Sequence, residues 1–469
     1  MQKKYLYTGV QLTTTLSSPR RVVAACIVLA LSVLALSALP PLPRTMALVV
    51  AAIALWSTGL LAEHLTALAF FLLALVAGVA PPEVVLSGFY SEALWLIFAG
   101  LIVGVAVARS GLAERLAAML GSRTGTRYAG VIGIVVLIGI VLTFAMPSSM
   151  GRVVMLMPIA LALAERLGYA SGSKGRTGIA LAAVLGAYLP SAGVLPSNLP
   201  NIVLTASAEQ LYGIRLSYAE YLLLAFPTLG ILKAAAIVAL ISRLYADAPA
   251  RRAAPVALAP WSTQERGVAI VLGLAMALWM TDFLHGVSPA WVALAAAVIC
   301  MLPFVGLFPA DAFNRDISFV AVFHAAGVIG LGAVVAYSGF GDALGNALGA
   351  MAPFSAESPL ANFWLLGVLS TLTCVVTTTT GVPAVLTPLS AALAEASGLP
   401  LKVVLLSQAI GFSNPIFPYE GAPLVFALHY AGLHARAAIG LLVALAVLTL
   451  VVLTPLTYWW WALLGYVSS

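Results

Sequence analysis

The chain has 469 residues, of which 62% are hydrophobic and 8% charged, with a formal net charge of +6. Soluble domains carry about 25% charged residues, so this composition excludes a water-soluble surface. The basic residues flank apolar runs, which makes the positive balance an orientation signal rather than a nucleic-acid footprint.

Lys3, Lys4, Arg20 and Arg21 precede the first apolar run, which ends at Pro40-Pro41. That run is long for a secretory signal and no small-x-small cleavage site follows, so it reads as a retained first helix behind a tail, 1–20. The runs 22–39, 94–107 and 437–453 carry no charge. They are continuous rather than alternating, which selects transmembrane helices over a barrel. Crossings are expected near 21–39, 45–62, 65–80, 91–109, 177–209, 217–243, 264–284, 288–307, 317–337, 401–431 and 435–460, about eleven helices of bilayer-spanning length. The stretch 245–264, with Arg251, Arg252 and three prolines, reads as a cytoplasmic linker between halves. Cys26, Cys300 and Cys374 lie inside apolar runs, without metal-ligand spacing or a disulfide framework. Trp459–Trp461 reads as an interfacial aromatic anchor.

A repeat lies within this layout. Gly151-Arg-Val-Val-Met-Leu-Met-Pro158, Ala162-Leu-Ala-Glu165 and Gly168 match Gly381-Val-Pro-Ala-Val-Leu-Thr-Pro388, Ala392-Leu-Ala-Glu395 and Gly398 in register. Upstream, Gly104, Ser110, Gly111, Glu114 and Leu116 pair with Gly332, Ser338, Gly339, Asp342 and Leu344; downstream, Pro200 pairs with Pro423. The first copy carries Arg109, Arg115, Arg123, Arg127, Arg152, Arg166, Lys174 and Arg176. The second has Lys402 against Asp342, Glu357 and Glu395. Cytoplasmic flanks are enriched in Lys and Arg, so the copies face opposite sides. Basic residues at both ends of 128–168 make that segment a re-entrant hairpin on the cytoplasmic side, although its length also allows two ordinary crossings. Its partner is a periplasmic-side hairpin, 359–398. The expected domains are N-terminal helices 21–85, repeat 1 over 86–244 and repeat 2 over 265–469, with the N-terminus cytoplasmic.

Four helix-breaking stretches stand in paired positions: 147–151, 190–201, 377–383 and 414–423. Non-helical backbone at membrane depth persists only where protein encloses it or a cavity lies beside it. Broken helices expose N–H groups that favour anions and oxygens that suit alkali cations. Ser148, Ser149, Thr378, Thr379 and Thr380 offer hydroxyls; Asn198, Asn201 and Asn414 offer amides. Intramembrane charges are costly unless paired or functional. Arg152 either joins a helix N-terminus in holding an anionic oxygen or pairs with a carboxylate. Glu420 either accepts a coupling proton or sits as counter-charge to Arg152 or Lys233. Lys233 reads as a snorkelling side chain, His324 as a hydrogen-bonded core histidine, and Glu165 and Glu395 as structural.

The arrangement resembles the divalent anion:sodium symporter (DASS) family of the ion transporter superfamily, from about Gly88 to the last crossing. The likeness is carried by Leu94-Trp-Leu-Ile-Phe-Ala-Gly100, Arg109-Ser-Gly-Leu112 and the paired hairpins, each followed by a broken helix. The resemblance implies a homodimeric elevator transporter whose tips and broken helices bind sodium and a carboxylate or sulfate-like anion. The family marks each tip with Ser-Asn-Thr; here the tips read Ser148-Ser149-Met150 and Thr378-Thr379-Thr380. Leu195-Pro-Ser-Asn-Leu-Pro-Asn201 fits the family's first break loosely, and Phe417-Pro-Tyr-Glu-Gly-Ala-Pro423 departs further. The expected substrate contacts are Ser148, Ser149, Arg152, Asn198, Thr378, Thr379 and Asn414. The expected cation-coupling positions are Ser149, Gly151, Ser197, Asn201, Thr380, Gly381 and Glu420, where sodium is the candidate metal; no other cofactor is implied. The expected function is cation-coupled movement of a small anion (dicarboxylate, sulfate, sulfonate or related organic acid) across the inner membrane, with sodium or a proton as the driving ion. An anion channel or a structural subunit of a membrane complex is the alternative. No His-Glu-x-x-His, Gly-x-Ser-x-Gly or paired intramembrane Asp suggests an enzyme.

Overall fold

The computed structural model describes residues 29–112 except 30 and 59, residue 115, 127–247 except 147, 260–340 except 310, 354–355 and 357–467. The tail 1–20, Cys26, Arg123, Pro147, most of the 245–264 linker and Asp342 lie outside these residues.

Among the described residues all regular structure is helical. After a helical stretch at 31–37 come Pro41–Thr58 (α1), Glu63–Val76 (α2) and Glu92–Ser110 (α3). A first unit follows: Tyr128–Ala145 (α4), Ser149–Arg166 (α5), Lys174–Tyr188 (α6), Leu199–Tyr212 (α7) and Tyr218–Leu244 (α8). Then come Thr263–Met280 (α9), Pro289–Met301 (α10) and Phe319–Tyr337 (α11). A second unit comprises Pro359–Val376 (α12), Gly381–Ser397 (α13), Leu401–Phe412 (α14), Ala422–Tyr430 (α15) and Arg436–Leu463 (α16). The two units share one order: helix, tip, helix, helix, break, helix, and a long helix with a π turn. The π turns are Phe226–Leu232 in α8 and Thr449–Leu453 in α16.

Six described helices are long and apolar enough to cross a membrane: α3, α4, α8, α11, α12 and α16. A seventh arises if α13 and α14, bent by 119° about Gly398, count as one span. Gly398 has φ +67°, a left-handed conformation that ends α13 at little cost only for glycine. Of the other expected crossings, α2 and α10 are shorter helices of 14 and 13 residues, because their apolar runs include turns. The segments 177–209 and 401–431 are interrupted where Pro190, Pro196 and Pro415, Pro418 remove backbone donors.

Lipid is as apolar as a leucine side chain, so membrane helices associate through close packing rather than apolar burial. The small-residue helix α6 serves that need, since Gly175, Gly178, Ala180, Ala182, Ala183, Gly186 and Ala187 are all buried. Both α4 and α5 pack on it, as α12 and α13 pack on α14. A Cβ at Gly139 would lie 2.5 Å from the Gly186 carbonyl carbon, and one at Gly411 would lie 2.4 Å from that of Ser370. Larger residues would therefore force α4 off α6, or α12 off α14. The units also interlock, with α15 against α5 and α6, and the start of α13 against α7. At the edge of the bundle, Arg115 forms a buried pair with Glu265 at 2.8 Å and lies over the Trp261 ring, tying the end of α3 to the start of α9.

The aromatic cluster of α16 departs from the anchor expected of it. Trp459 is exposed, whereas Trp461 is 1% exposed and donates to the Leu224 carbonyl; Trp460 donates to that of Leu223. Successive helical residues point about 100° apart, so three in a row cannot share one lipid-facing stripe.

Candidate functional site

The first break replaces helix between α6 and α7 with two short 3-10 turns, Leu189–Gly193 and Leu195–Ser197. Its carbonyls lack helical partners, and side chains supply them. Arg152, one turn into α5 and 0% exposed, donates to the carbonyls of Ala187 (2.9 Å), Ser197 (3.0 Å) and Met146. Asn201 donates to those of Ser191 and Val194, and the Tyr221 hydroxyl to that of Ala192. The Ser191 and Ser197 hydroxyls donate to Tyr188 and Thr143. The carboxylate, one of the two partners expected beside Arg152, is not among its hydrogen-bond partners in the described residues; all are backbone oxygens.

The tip before α5 is built by Ser148, whose hydroxyl caps the helix by accepting from the Gly151 N–H at 3.1 Å. The Ser149 hydroxyl points to Asn198 Oδ1 at 3.4 Å, so the first tip touches the first break.

The second tip is held differently. The Thr379 N–H donates to the Glu420 carbonyl, and its hydroxyl lies 2.8 Å from the Tyr188 hydroxyl. Thr378 and Thr380 hydroxyls are 3.3 Å apart, and Thr378 also accepts from the Gly381 N–H. Tyr188 ends α6, so this contact joins the second tip to the first break. A Cβ at Gly421 would come within 2.7 Å of the same hydroxyl, which brings the second break to Tyr188 as well.

In the second break, Glu420 is 1% exposed and its Oε1 accepts from the Ile416 and Phe417 N–H groups. Its Oε2 has no nitrogen or oxygen donor among the described residues; the weakly donating Cys374 thiol is the group close by. Asn414 Oδ1 accepts from the Lys233 ammonium at 3.1 Å, and the same ammonium donates to the Thr449 hydroxyl at 2.6 Å. Lys233 does not snorkel: it is 0% exposed and bridges the end of one π turn, the start of the other and the break. Among the described residues no ion pair joins Glu420 to Arg152 or Lys233.

The structure thus gathers Ser149 with Asn198, and Thr379 with Glu420, while Asn414 stands with Lys233. Tyr188 and Thr449 were missed from sequence; Tyr188 adjoins Leu189-Pro190, the one local hint of its position. His324 is buried edge-on to Trp56 at 5.4 Å, but neither ring nitrogen has a hydrogen-bond partner among the described residues. Glu165 pairs with Arg176 at 3.0 Å in a partly exposed bridge. Two cavities, of about 200 and 300 Å³, share Glu92 and Glu209 and reach the first break only at Leu195. Their lining is rich in carboxylates and includes neither tip.

Broken helices and fully buried charges, set among long apolar helices, define a multi-pass membrane transport protein. The family model for the sodium:sulfate symporter transmembrane region matches residues 16–467, and the chain belongs to that family. The family is one of transporters, not enzymes, and it implies an anion and sodium as substrates. The chain is 24% identical over 397 residues to a "Membrane protein" of Cupriavidus necator, covering 81% of this chain and 77% of that one. It is 23% identical over 399 residues to "Inner membrane protein YbhI" of Escherichia coli, covering 81% and 82%. Its fold is similar to the crystal structure of the Alcanivorax borkumensis YdaH transporter, with a TM-score of 0.51, 17% identity and coverage of 81% and 88%.

Proposed function

We propose that the chain is a secondary active transporter that moves a small anion (a dicarboxylate, sulfate, sulfonate or related organic acid) by elevator-type alternating access. One observation carries this reading: each tip meets a break, Ser149 with Asn198 and Thr379 with Tyr188 and the Glu420 carbonyl. Irregular backbone enclosed at membrane depth suits a substrate site near the midplane, between two repeats. The hydroxyls of Ser148, Ser149, Thr378 and Thr379 then bind the anion, with the amides of Asn198 and Asn414 nearby. Helix N-termini at Ser149, Leu199, Gly381 and Ala422 add positive dipole ends. The coupling ion is sodium or a proton: a positive charge taken up beside the anion lowers the cost of placing it, which links two gradients.

The architecture belongs to the same proposal. Eleven crossings and two re-entrant hairpins, 128–168 on the cytoplasmic side and 359–398 on the opposite side, form inverted repeats over 86–244 and 265–469 with a cytoplasmic N-terminus. The shared order of elements and the π turn in each unit support this. A homodimer in the inner membrane completes it, the latter supported by the name of the Escherichia coli relative. Removing both tip hydroxyls (Ser149→Ala with Thr379→Ala) abolishes anion uptake by proteoliposomes while expression and elution profile stay unchanged. Uptake that survives the double substitution contradicts the assignment.

A further inference from the structure

A break in a membrane helix leaves backbone and side-chain oxygens without helical partners, and such hard oxygens are what an alkali cation binds. In this chain several of those oxygens already accept hydrogen bonds from a buried basic side chain. Arg152 takes the Met146 carbonyl at the first tip and the Ala187 and Ser197 carbonyls that flank the first break. Lys233 takes Asn414 Oδ1 in the second break and the Thr449 hydroxyl in the π turn beside it. Both are 0% exposed, and neither has a carboxylate partner among the described residues. A buried cation held only by neutral oxygens is in the coordination position of an ion.

We infer that Arg152 and Lys233 are tethered resident cations, occupying the oxygens that a co-transported sodium ion would use, so that this chain binds no sodium at either break. The inference rests on the transport reading only for its consequence, sodium-independent anion movement; the occupancy stands on the hydrogen bonds themselves.

Three features argue for it. A guanidinium does not lose its proton in proteins, so Arg152 cannot step aside by neutralising. A carbonyl has a second lone pair, but an ion brought to it meets the guanidinium charge in a medium that screens poorly. The first break has few oxygens left, because Asn201, Tyr221 and Ser191 take the carbonyls of Ser191, Val194, Ala192 and Tyr188. Two buried side-chain oxygens of the breaks have no hydrogen-bond partner in the breaks themselves, Asn201 Oδ1 and Glu420 Oε2, the latter with the Cys374 thiol close by. They belong to different breaks, and a single oxygen does not replace the hydration shell of an alkali ion. The second tip carries Val382 where the first carries Arg152. The second tip therefore has no guanidinium of its own, and the second break is held instead by Lys233 from the first half.

The test is equilibrium binding of radioactive sodium to the purified full-length protein, at constant ionic strength kept with choline. The wild type is expected to show no saturable sodium binding. Lys233→Ala, which vacates the Asn414 and Thr449 oxygens, is expected to gain it, with a sodium-specific rise in melting temperature; Lys233→Gln serves if the alanine variant does not fold. Saturable binding to the wild type overturns the inference, and so does a folded Lys233 variant that still ignores sodium. Proteoliposome uptake of labelled succinate and sulfate separates the inference from the transport reading. Uptake that persists when choline replaces sodium supports both. Uptake that requires sodium overturns the inference and leaves the transport reading standing. No uptake of either anion in any buffer counts against the transport reading, while the binding measurement still decides the inference.

Discussion

At the first break, between α6 and α7, the unpaired groups are mostly carbonyls, and Arg152 reaches across from α5 to take two of them. At the second, between α14 and α15, N–H groups stand unpaired, and Glu420 folds back to accept from Ile416 and Phe417. The same interruption, at the same place in two units of the same order, is closed by opposite charges. The end of a helix presents carbonyls and its start presents N–H groups, so the sign of the buried charge reports which side of each gap is satisfied by side chains. The two solutions meet at Tyr188, which ends α6, holds Thr379 and lies against Gly421.

Breaking the cationic closure is expected to have the largest effect. Arg152→Ala leaves three buried carbonyls without their donor, at about 1–3 kcal/mol for each group left unpaired. The thermal midpoint of the detergent-purified protein should fall sharply or the protein should not accumulate. Arg152→Lys should recover only part, because an ammonium lacks the planar fork. A midpoint unchanged in Arg152→Ala would remove this side of the comparison.

The anionic closure comes next. Glu420→Ala strands two N–H groups, again at about 1–3 kcal/mol each, whereas Glu420→Gln keeps an acceptor and should melt near the wild type. A glutamine variant as unstable as the alanine variant would show that charge, not acceptor geometry, holds the second break. The meeting point is more tolerant. Gly421→Ala puts a methyl within 2.7 Å of the Tyr188 hydroxyl, an overpacking that costs about 1–3 kcal/mol. Tyr188→Phe removes one neutral hydrogen bond, at about 0.5–1.5 kcal/mol. The double variant should be somewhat less destabilised than the sum of the two, because the phenyl ring lacks the oxygen at 2.7 Å while keeping the carbons at 2.8 and 3.0 Å; strict additivity would show that the ring carbons, not the hydroxyl, set the clash.

The smallest effect belongs to the Arg109–Asp316 pair, whose side chains are 41% and 22% exposed. Burial pushes the Asp316 carboxyl up, but hydrogen bonds and charge from Arg315 and Arg109 outweigh it and hold the carboxyl below its usual value. A lowered folded value means stability that is present above the unfolded pKa and lost as pH falls through the folded one. Arg109→Ala should therefore cost only about 0.2–1 kcal/mol at neutral pH, and nothing once Asp316 is protonated. A cost that persists in acid would assign it to lost packing instead.

Much of the bundle was legible because apolar runs and prolines act locally. The expected crossings 91–109, 217–243, 317–337 and 435–460 correspond closely to α3, α8, α11 and α16, and the four proline-marked interruptions coincide with tips and breaks. The partners of the buried charges were not legible. Arg152 is held by backbone carbonyls, which leave no trace in residue identity. Lys233 finds Asn414 and Thr449 at separations of 181 and 216 residues, and no local pattern encodes that meeting. Trp461 misled for the opposite reason: its neighbours suggested a lipid-facing anchor, while its own helical phase turns it into the core.

The comparison depends above all on the two units being inverted copies whose hairpins open to opposite sides. Single cysteines at Ser171, between α5 and α6, and at Ala396, in the last turn of α13, test this directly in a chain lacking Cys26, Cys300 and Cys374. Both positions are exposed. A membrane-impermeant maleimide should label Ser171→Cys only from the cytoplasmic side and Ala396→Cys only from the other. Labelling of both from one side would contradict the inverted arrangement.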